Sequence, residues 1–366
     1  MRRLKELNNI IESVSFNKLW DGFNKTKYAI YNDKNFYVND NEGLELELIK
    51  DDFCYIGKTD ERFAGNTAIK IDNNYIAIWN EENIRQGMSN EKLASLIIHE
   101  MFHCFQLAND ESRFANELLG ISYPMTIENI NLRTLERQYL FDANHEIDKE
   151  KKMKLITLFY NTRKRREQVI GNIIEYEKAI ETIEGAAVYV EYKALEQLMS
   201  RSSINLAEYI KGFTDITEKN LNIRHSSYNQ GLLLGLIADE YIPNWKERFS
   251  NSTQFLSDFI LSELKINEIK LDYKHENLKE IEGCIANWKE QRDLVFNEFE
   301  RKTKRKTLED GFQITGFDPM NIVKRDQEII HKNFLKVKID SSEQVIKGPI
   351  KALIGKHIFD VKKIEW

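Results

Sequence analysis

Two histidines and a glutamate lie close together in His99-Glu100-Met101-Phe102-His103, which is the HExxH pattern. In an α-helix, residues i and i+4 lie one turn apart on the same face. The imidazoles of His99 and His103 can therefore bind one Zn²⁺, at Zn–N distances of about 2.0–2.1 Å. Glu100 is the next residue round the helix, where its carboxylate can take a proton from an attacking water without binding the metal. The spacing predicts a hydrolytic zinc site.

The residues around the motif have the pattern of a buried helix. Apolar side chains recur at helical spacing, and Ser89 or Asn90 can cap the start of the helix. A buried helix makes it costly to leave two histidines and a glutamate without partners. The alternative is a core helix whose polar groups are satisfied by hydrogen bonds alone. We favour the metal site.

The third ligand has to come from another part of the chain. A metzincin would need Gly and His where this sequence has Gln106 and Asn109, which excludes that class. Most of the remaining histidines lie in polar or terminal segments, where we expect surface positions: His145, His275, His331 and His357. A glutamate is therefore the expected third ligand.

Glu184 is the best candidate for that ligand. Gly185 and the two alanines after it remove side-chain bulk, which predicts a close approach of this helix to the HExxH helix. Glu181, Glu184 and Glu191 form one stripe on an otherwise apolar helix. We expect Glu181 and Glu191 to be solvated or paired with lysines, and Glu184 to reach the metal.

The combination of HExxH with the later segment Glu184–Tyr189, which reads E-G-x-A-x-Y, resembles the gluzincin peptidases, in particular the peptidase-MA-like group. The resemblance extends from about Phe63 to Trp245. It implies an α+β, zincin-like fold in which His99, His103 and Glu184 bind zinc and Glu100 is the general base.

The ligands are farther apart along this chain than in thermolysin-like gluzincins. About eighty residues separate His103 from Glu184, so a helical insertion, at about residues 110–170, is expected to loop out between the ligand helices. The insertion contains the basic run Arg163–Arg166, which we expect to be a solvated face.

The family also supplies a downstream Tyr or His that stabilises the oxyanion, and an edge strand that holds an extended substrate. Tyr228 and His225, which we place just before a helix, are the candidates for the oxyanion donor. Residues 63–67 or 75–79 are the candidates for the edge strand, with ordinary sheet core as the alternative.

The hydrophobic periodicity predicts the order β, then α, then β. Residues 1–88 would form a helix and a small sheet, with hairpin turns at Asn32–Asn35 and Asp72–Asn74. Residues 89–250 would form a helical catalytic core, residues 251–306 a helical extension and residues 307–366 a C-terminal β subdomain. Two helices separated near Gly171 are expected between Asp148 and Met199.

Composition narrows the classes of partner. The chain has 53 Lys and Arg against 59 Asp and Glu, a net charge of -6, which argues against binding to nucleic acid or anionic lipid. No apolar run approaches the length of a membrane span, so we expect no membrane partner. The widely spaced Cys54, Cys104 and Cys284 indicate a reducing, cytoplasmic location.

The function expected from these observations is zinc-dependent hydrolysis of a peptide or protein substrate, with Zn²⁺ as the cofactor. Two alternatives stay open. One is a non-catalytic interaction protein that keeps the zincin fold. The other is a regulatory protease specific for a single cytoplasmic protein.

Overall fold

The computed structural model describes residues 2–199, 204–269, 277–340, 342–356 and 358–366. The α-helices are α1 Arg2–Glu12, α2 Phe16–Leu19, α3 Asn90–Ala108, α4 Glu117–Ile121, α5 Ile127–His145, α6 Lys149–Ile170, α7 Ile174–Ile180, α8 Ala186–Leu198, α9 Leu206–Tyr209, α10 Glu218–Leu221, α11 Ile223–Tyr241, α12 Trp245–Ser250, α13 Leu256–Glu263 and α14 Leu278–Glu300. The strands are β1 Lys27–Tyr31, β2 Asn35–Val38, β3 Ile49–Lys50, β4 Tyr55–Lys58, β5 Thr67–Ile71, β6 Asn74–Asn80, β7 Thr307–Leu308, β8 Phe312–Phe317, β9 Ile322–Arg325, β10 Glu328–His331, β11 Phe334–Ile339, β12 Ser342–Lys347, β13 Ile350–Ile354 and β14 Val361–Glu365. The expected α+β class is confirmed, with an N-terminal sheet, a helical body and C-terminal sheets.

The N-terminal strands form one sheet in the order β3-β4-β2-β1-β6-β5. Both expected hairpins are confirmed, since β1 pairs with β2 and β5 pairs with β6 in antiparallel fashion. Strand β6 also pairs with β1 in parallel, so its backbone is hydrogen-bonded on both sides. The prediction that residues 75–79 could form the edge is therefore wrong. The edge strand next to β6 is β5, which starts at the last residue of the other candidate segment; the opposite edge is β3.

Helix α3 packs on this sheet and carries the HExxH motif. The Ser89 side chain accepts a hydrogen bond from the Lys92 backbone N–H, so Ser89 is the N-cap. Side chains of α3 such as Leu93 and Ile97 share one hydrophobic core with α1 and with sheet residues such as Trp79. The helix is thus fixed by apolar contacts on the sheet side.

The helix that contains Glu184 is not a regular α-helix. Gly171, with a φ of +61°, ends α6 as the sequence predicts. The chain then continues as α7, a π-helical turn over Glu181–Gly185, and α8. Helix α8 packs against α3, as expected. Gly185, however, contacts α11, since a Cβ built there would lie 2.5 Å from the Gly231 Cα. Gly185 therefore permits the close approach of this helix to α11, whereas the prediction was a close approach to α3.

The start of α11 also differs from the prediction. The helix begins at Ile223, capped by the Asn222 side chain, so Arg224, His225 and Tyr228 lie within it and not before it. Arg224 and Tyr228 therefore have i, i+4 spacing on one helical face.

The basic run Arg163–Arg166 is only partly solvated, which corrects the prediction. Arg163 and Arg166 are fully buried. Arg163 donates to both oxygens of Glu181 at 2.7 Å, and Arg166 donates to Glu136 at 2.7 Å. The expectation that Glu181 is solvated or paired with a lysine is also wrong. The insertion therefore packs against the helix of Glu184 and does not loop away from it.

The C-terminal strands form two sheets, in the orders β7-β14-β13-β10-β9 and β12-β11-β8. His331 on β10 is buried, contrary to the expected surface position, and burial lowers its pKa to about 4. His145 is exposed as expected. His275 and His357 lie outside the described residues. In the described ranges, every helix is too short or too polar to cross a membrane.

We predict that Gly231→Ala destabilises the protein. The new Cβ would lie 2.5 Å from the Glu181 carbonyl oxygen and 2.5 Å from the Gly185 Cα, and backbone atoms cannot move aside cheaply. Such overpacking costs about 1–3 kcal/mol. Gly283→Ala in α14 is the matched control, because its Cβ meets nothing within 4 Å and alanine favours helix by about 1 kcal/mol. Urea unfolding measures both; a stabilised Gly231→Ala protein would contradict the close approach.

Candidate metal centre

His99 and His103 lie one turn apart on α3 and point into a common space. Their Nε2 atoms are 3.2 Å apart. His99 is buried and His103 is largely buried, so neither ring is freely hydrated. The residues predicted to form the metal pair are thus brought together.

Glu184 supplies the third converging atom, from the π-helical turn. Its Oε2 lies 3.4 Å from His103 Nε2 and 3.7 Å from His99 Nε2. Three ligands at about 2.0–2.1 Å from a tetrahedral zinc would be about 3.3–3.4 Å from one another. The three observed separations are close to that value, so the donor atoms fit one face of a zinc tetrahedron. π-turns are rare and are often found at functional sites.

The outer nitrogen of each imidazole has a partner that fixes the tautomer. His103 Nδ1 lies 2.7 Å from Gln106 Oε1, while the Gln106 amide nitrogen donates to the Ile183 carbonyl at 3.0 Å. An amide oxygen only accepts, so His103 Nδ1 must carry the proton. His99 Nδ1 lies 3.2 Å from a carboxylate oxygen of Glu191. With the outer nitrogens held in this way, the two Nε2 atoms are the ones that face a metal, the arrangement typical of zinc-binding histidines.

Glu191 is buried and receives two further hydrogen bonds. Lys92 donates to it at 2.6 Å, and the Tyr209 hydroxyl donates at 2.7 Å. The predicted lysine pairing is present, but the sequence did not reveal the contact with His99. The sequence feature that could have revealed this contact is the spacing of seven residues between Glu184 and Glu191, which places both carboxylates on the helix face towards α3.

The electrostatics of the cluster favour a bound cation. Burial raises the pKa of Glu184, but His103 and His99 outweigh this effect and hold the pKa well below its usual range. Burial lowers the pKa of His99, but Glu184 and Glu191 outweigh it and raise the pKa to about 10. Together with Glu100, three carboxylates adjoin two imidazoles. A divalent cation would neutralise much of this negative charge.

Glu100 lies beside the two imidazoles. Its carboxylate comes within 4.8 Å of their nitrogens. Burial raises its pKa, opposed by His99 and His103. A carboxyl with a raised pKa beside the donor atoms is suited to accept a proton from water.

A cavity of about 510 Å³ opens in front of the donor atoms; we call it the metal cavity. His99, Glu100, His103 and Glu184 line it, as does Tyr228 from α11. His225 does not line this cavity and faces an adjoining one instead. Of the two oxyanion candidates, only Tyr228 lies on the metal side.

Arg224 is a site residue that sequence reasoning missed. It lines the metal cavity and donates to Glu184 Oε1 at 2.7 Å and to Glu117 at 2.6 Å. The ion pair holds the Glu184 oxygen that does not face the histidines. The sequence feature that could have identified Arg224 is its i, i+4 spacing to Tyr228, which places both side chains on one face of the helix.

Comparisons with known proteins return no match: no protein family, curated protein or solved structure matches this chain. The site has to be interpreted from its own geometry.

We predict that Glu191→Gln weakens zinc binding. The substitution removes the negative charge that accepts the His99 Nδ1 proton, and losing such an outer contact typically costs about 10–100-fold in metal affinity. Glu196→Gln on the same helix is the matched control, because Glu196 pairs with Lys193. Zinc affinity is measured by competition with a chelator, after circular dichroism has shown that both variants fold. Equal affinities would contradict the role of Glu191.

Proposed function

We propose that this chain is a zinc-dependent peptidase of the gluzincin type, with a zincin-like arrangement of the N-terminal sheet, α3 and α8. The observation that carries the proposal is the convergence of His99 Nε2, His103 Nε2 and Glu184 Oε2 at 3.2–3.7 Å from one another. These atoms face a cavity that is also lined by Glu100 and Tyr228.

His99, His103 and Glu184 are the proposed ligands. When bound, zinc would act as a Lewis acid that lowers the pKa of water and polarises a carbonyl. Glu191 and Gln106 hold the two imidazoles in the correct tautomer, and Arg224 holds Glu184. Each ligand is therefore oriented before a substrate arrives.

Glu100 is the proposed general base. Its carboxylate lines the metal cavity beside the ligands, within reach of a water that attacks a substrate carbonyl. It would take the proton of that water and then deliver it to the leaving amine.

Tyr228 is the proposed donor to the oxyanion. Burial and the nearby Glu184 raise its pKa, so the hydroxyl keeps its proton at neutral pH and can donate a hydrogen bond. His225 is exposed and lines the neighbouring cavity, which leaves it without an obvious part in the chemistry.

Strand β5 is the proposed guide for the substrate. It is an edge of the N-terminal sheet, and Asn66, Thr67 and Ala68 line the metal cavity. An extended peptide could pair with the free backbone groups of this edge as an added strand. The scissile carbonyl would then pass in front of the ligands.

We predict that Glu100→Gln retains zinc but loses peptide hydrolysis by several orders of magnitude, because the amide cannot accept the proton from water. Glu184→Gln should instead lower zinc occupancy, since a charged ligand is lost. Metal analysis and cleavage of a broad peptide library measure the two effects. Zinc binding without cleavage of any peptide by the unmodified chain would overturn the proposal.

We predict that Tyr228→Phe lowers kcat by about 10²–10³-fold, as removal of an oxyanion donor does in other enzymes, with a smaller change in KM. The comparison variant is His225→Ala, which should keep kcat within a few-fold because His225 faces the adjoining cavity. Steady-state kinetics on one cleaved library peptide test both. A larger loss in His225→Ala than in Tyr228→Phe would reverse the assignment.

A further inference from the structure

A second cavity of about 480 Å³ adjoins the metal cavity; we call it the arginine cavity. The two share Glu117, Arg224, Tyr228 and Met320 in their walls, so they lie side by side. A peptide held in front of the ligands would have neighbouring residues within reach of the second cavity.

The arginine cavity is closed by parts of the chain that lie far apart in sequence. Trp288 and Arg292 come from α14, and Pro319, Met320 and Ile322 come from the C-terminal region. These side chains give the cavity a largely apolar wall beside a guanidinium group. The C-terminal region thus contributes directly to this cavity.

Arg292 is a cation with no counter-charge among the described residues. Its guanidinium carbon lies 3.8 Å from the centre of the Trp288 ring, a cation–π contact. Its Nε is buried and has no hydrogen-bond acceptor among the described residues. Burial lowers its pKa to about 10. The two terminal guanidinium nitrogens are not among the buried donors and have no acceptor among the described residues, so they are open to a ligand in the cavity.

The other charged groups of the cavity do not neutralise Arg292. Glu117 pairs with Arg224, which also binds Glu184. Glu218 is exposed, and the described residues contain no ion pair between it and Arg292. The guanidinium fork therefore keeps its capacity to bind a carboxylate through two hydrogen bonds.

We propose that the arginine cavity is a specificity subsite for a carboxylate of the substrate, bound by Arg292 beside an apolar wall. The inference rests on the proposed peptidase function. The carboxylate is either an Asp or Glu side chain of the peptide or its C-terminus.

Binding to the full-length Glu100→Gln chain loaded with zinc tests the proposal. The probes are C-terminally amidated octapeptides of neutral residues in which one Glu occupies each position in turn, and the same set with Gln. A third set carries no Glu but has a free C-terminus. Titration calorimetry should show about tenfold tighter binding for Glu than for Gln at one position, or for the free C-terminus over its amide.

Arg292→Gln, added to the same protein, should abolish this preference, and Arg292→Lys should retain part of it. Arg301→Gln is the matched control, because Arg301 is exposed just after α14 and does not line either cavity. Equal binding of all sets, no binding of any peptide, or a preference that persists in Arg292→Gln overturns the subsite.

Cleavage of the same peptides by the unmodified chain separates the two proposals. Peptide binding that depends on Arg292, without cleavage of any peptide, would contradict the peptidase function but support the carboxylate subsite. Cleavage with no preference for a carboxylate would support the peptidase function but overturn the subsite.

Discussion

The Nε2 atoms of His99 and His103 lie 3.2 Å apart and face the same point, where two lone pairs would repel each other without a proton or a metal cation between them. The surroundings of His99 and His103 maintain this arrangement instead of relieving it. Gln106 and Glu191 occupy the outer nitrogens, and Glu184 adds a negative oxygen on the open side. Each contact is local, but together they leave one space whose negatively charged surroundings favour a cation.

The position of Glu184 depends on buried charges in the insertion between the ligand helices. Arg163 of α6 donates hydrogen bonds to both carboxylate oxygens of Glu181, which lies one turn before Glu184. Arg133 of α5 donates to Glu177 at 2.9 Å. Burial raises the pKa of Glu177, but the arginines around it outweigh this and hold the pKa well below its usual range. Buried ion pairs contribute little net stability, yet breaking one is costly. Their effect here is to fix one register of the helix against its neighbours.

Local patterns in the sequence were enough to predict the hairpins, a cap of α3 at Ser89 or Asn90, and the break at Gly171, because each depends on residues close together in the chain. The start of α11, capped by the adjacent Asn222, is a local error, but most of the other errors involve distant partners. The basic run was expected to be solvated because its acids, Glu136 and Glu181, come from other helices. Gly185 was assigned to the wrong helix pair because Gly231 lies far along the chain. The arginine cavity needs α14 and the C-terminal region together, which no local pattern reveals.

The π-turn over Glu181–Gly185 joins α7 and α8 into one continuous helix. It rotates the side chains of α8 about the helix axis relative to those of α7, so the two parts can face different neighbouring helices. Glu177 of α7 binds the buried arginines, while Glu184 in the turn itself and Glu191 of α8 face α3. An α-helix advances about 100° per residue, so losing a single residue from the turn would rotate the halves relative to each other by about that angle. An in-frame deletion of a single codon here would therefore keep either the buried ion pairs or the approach of Glu184 to His99 and His103, but not both.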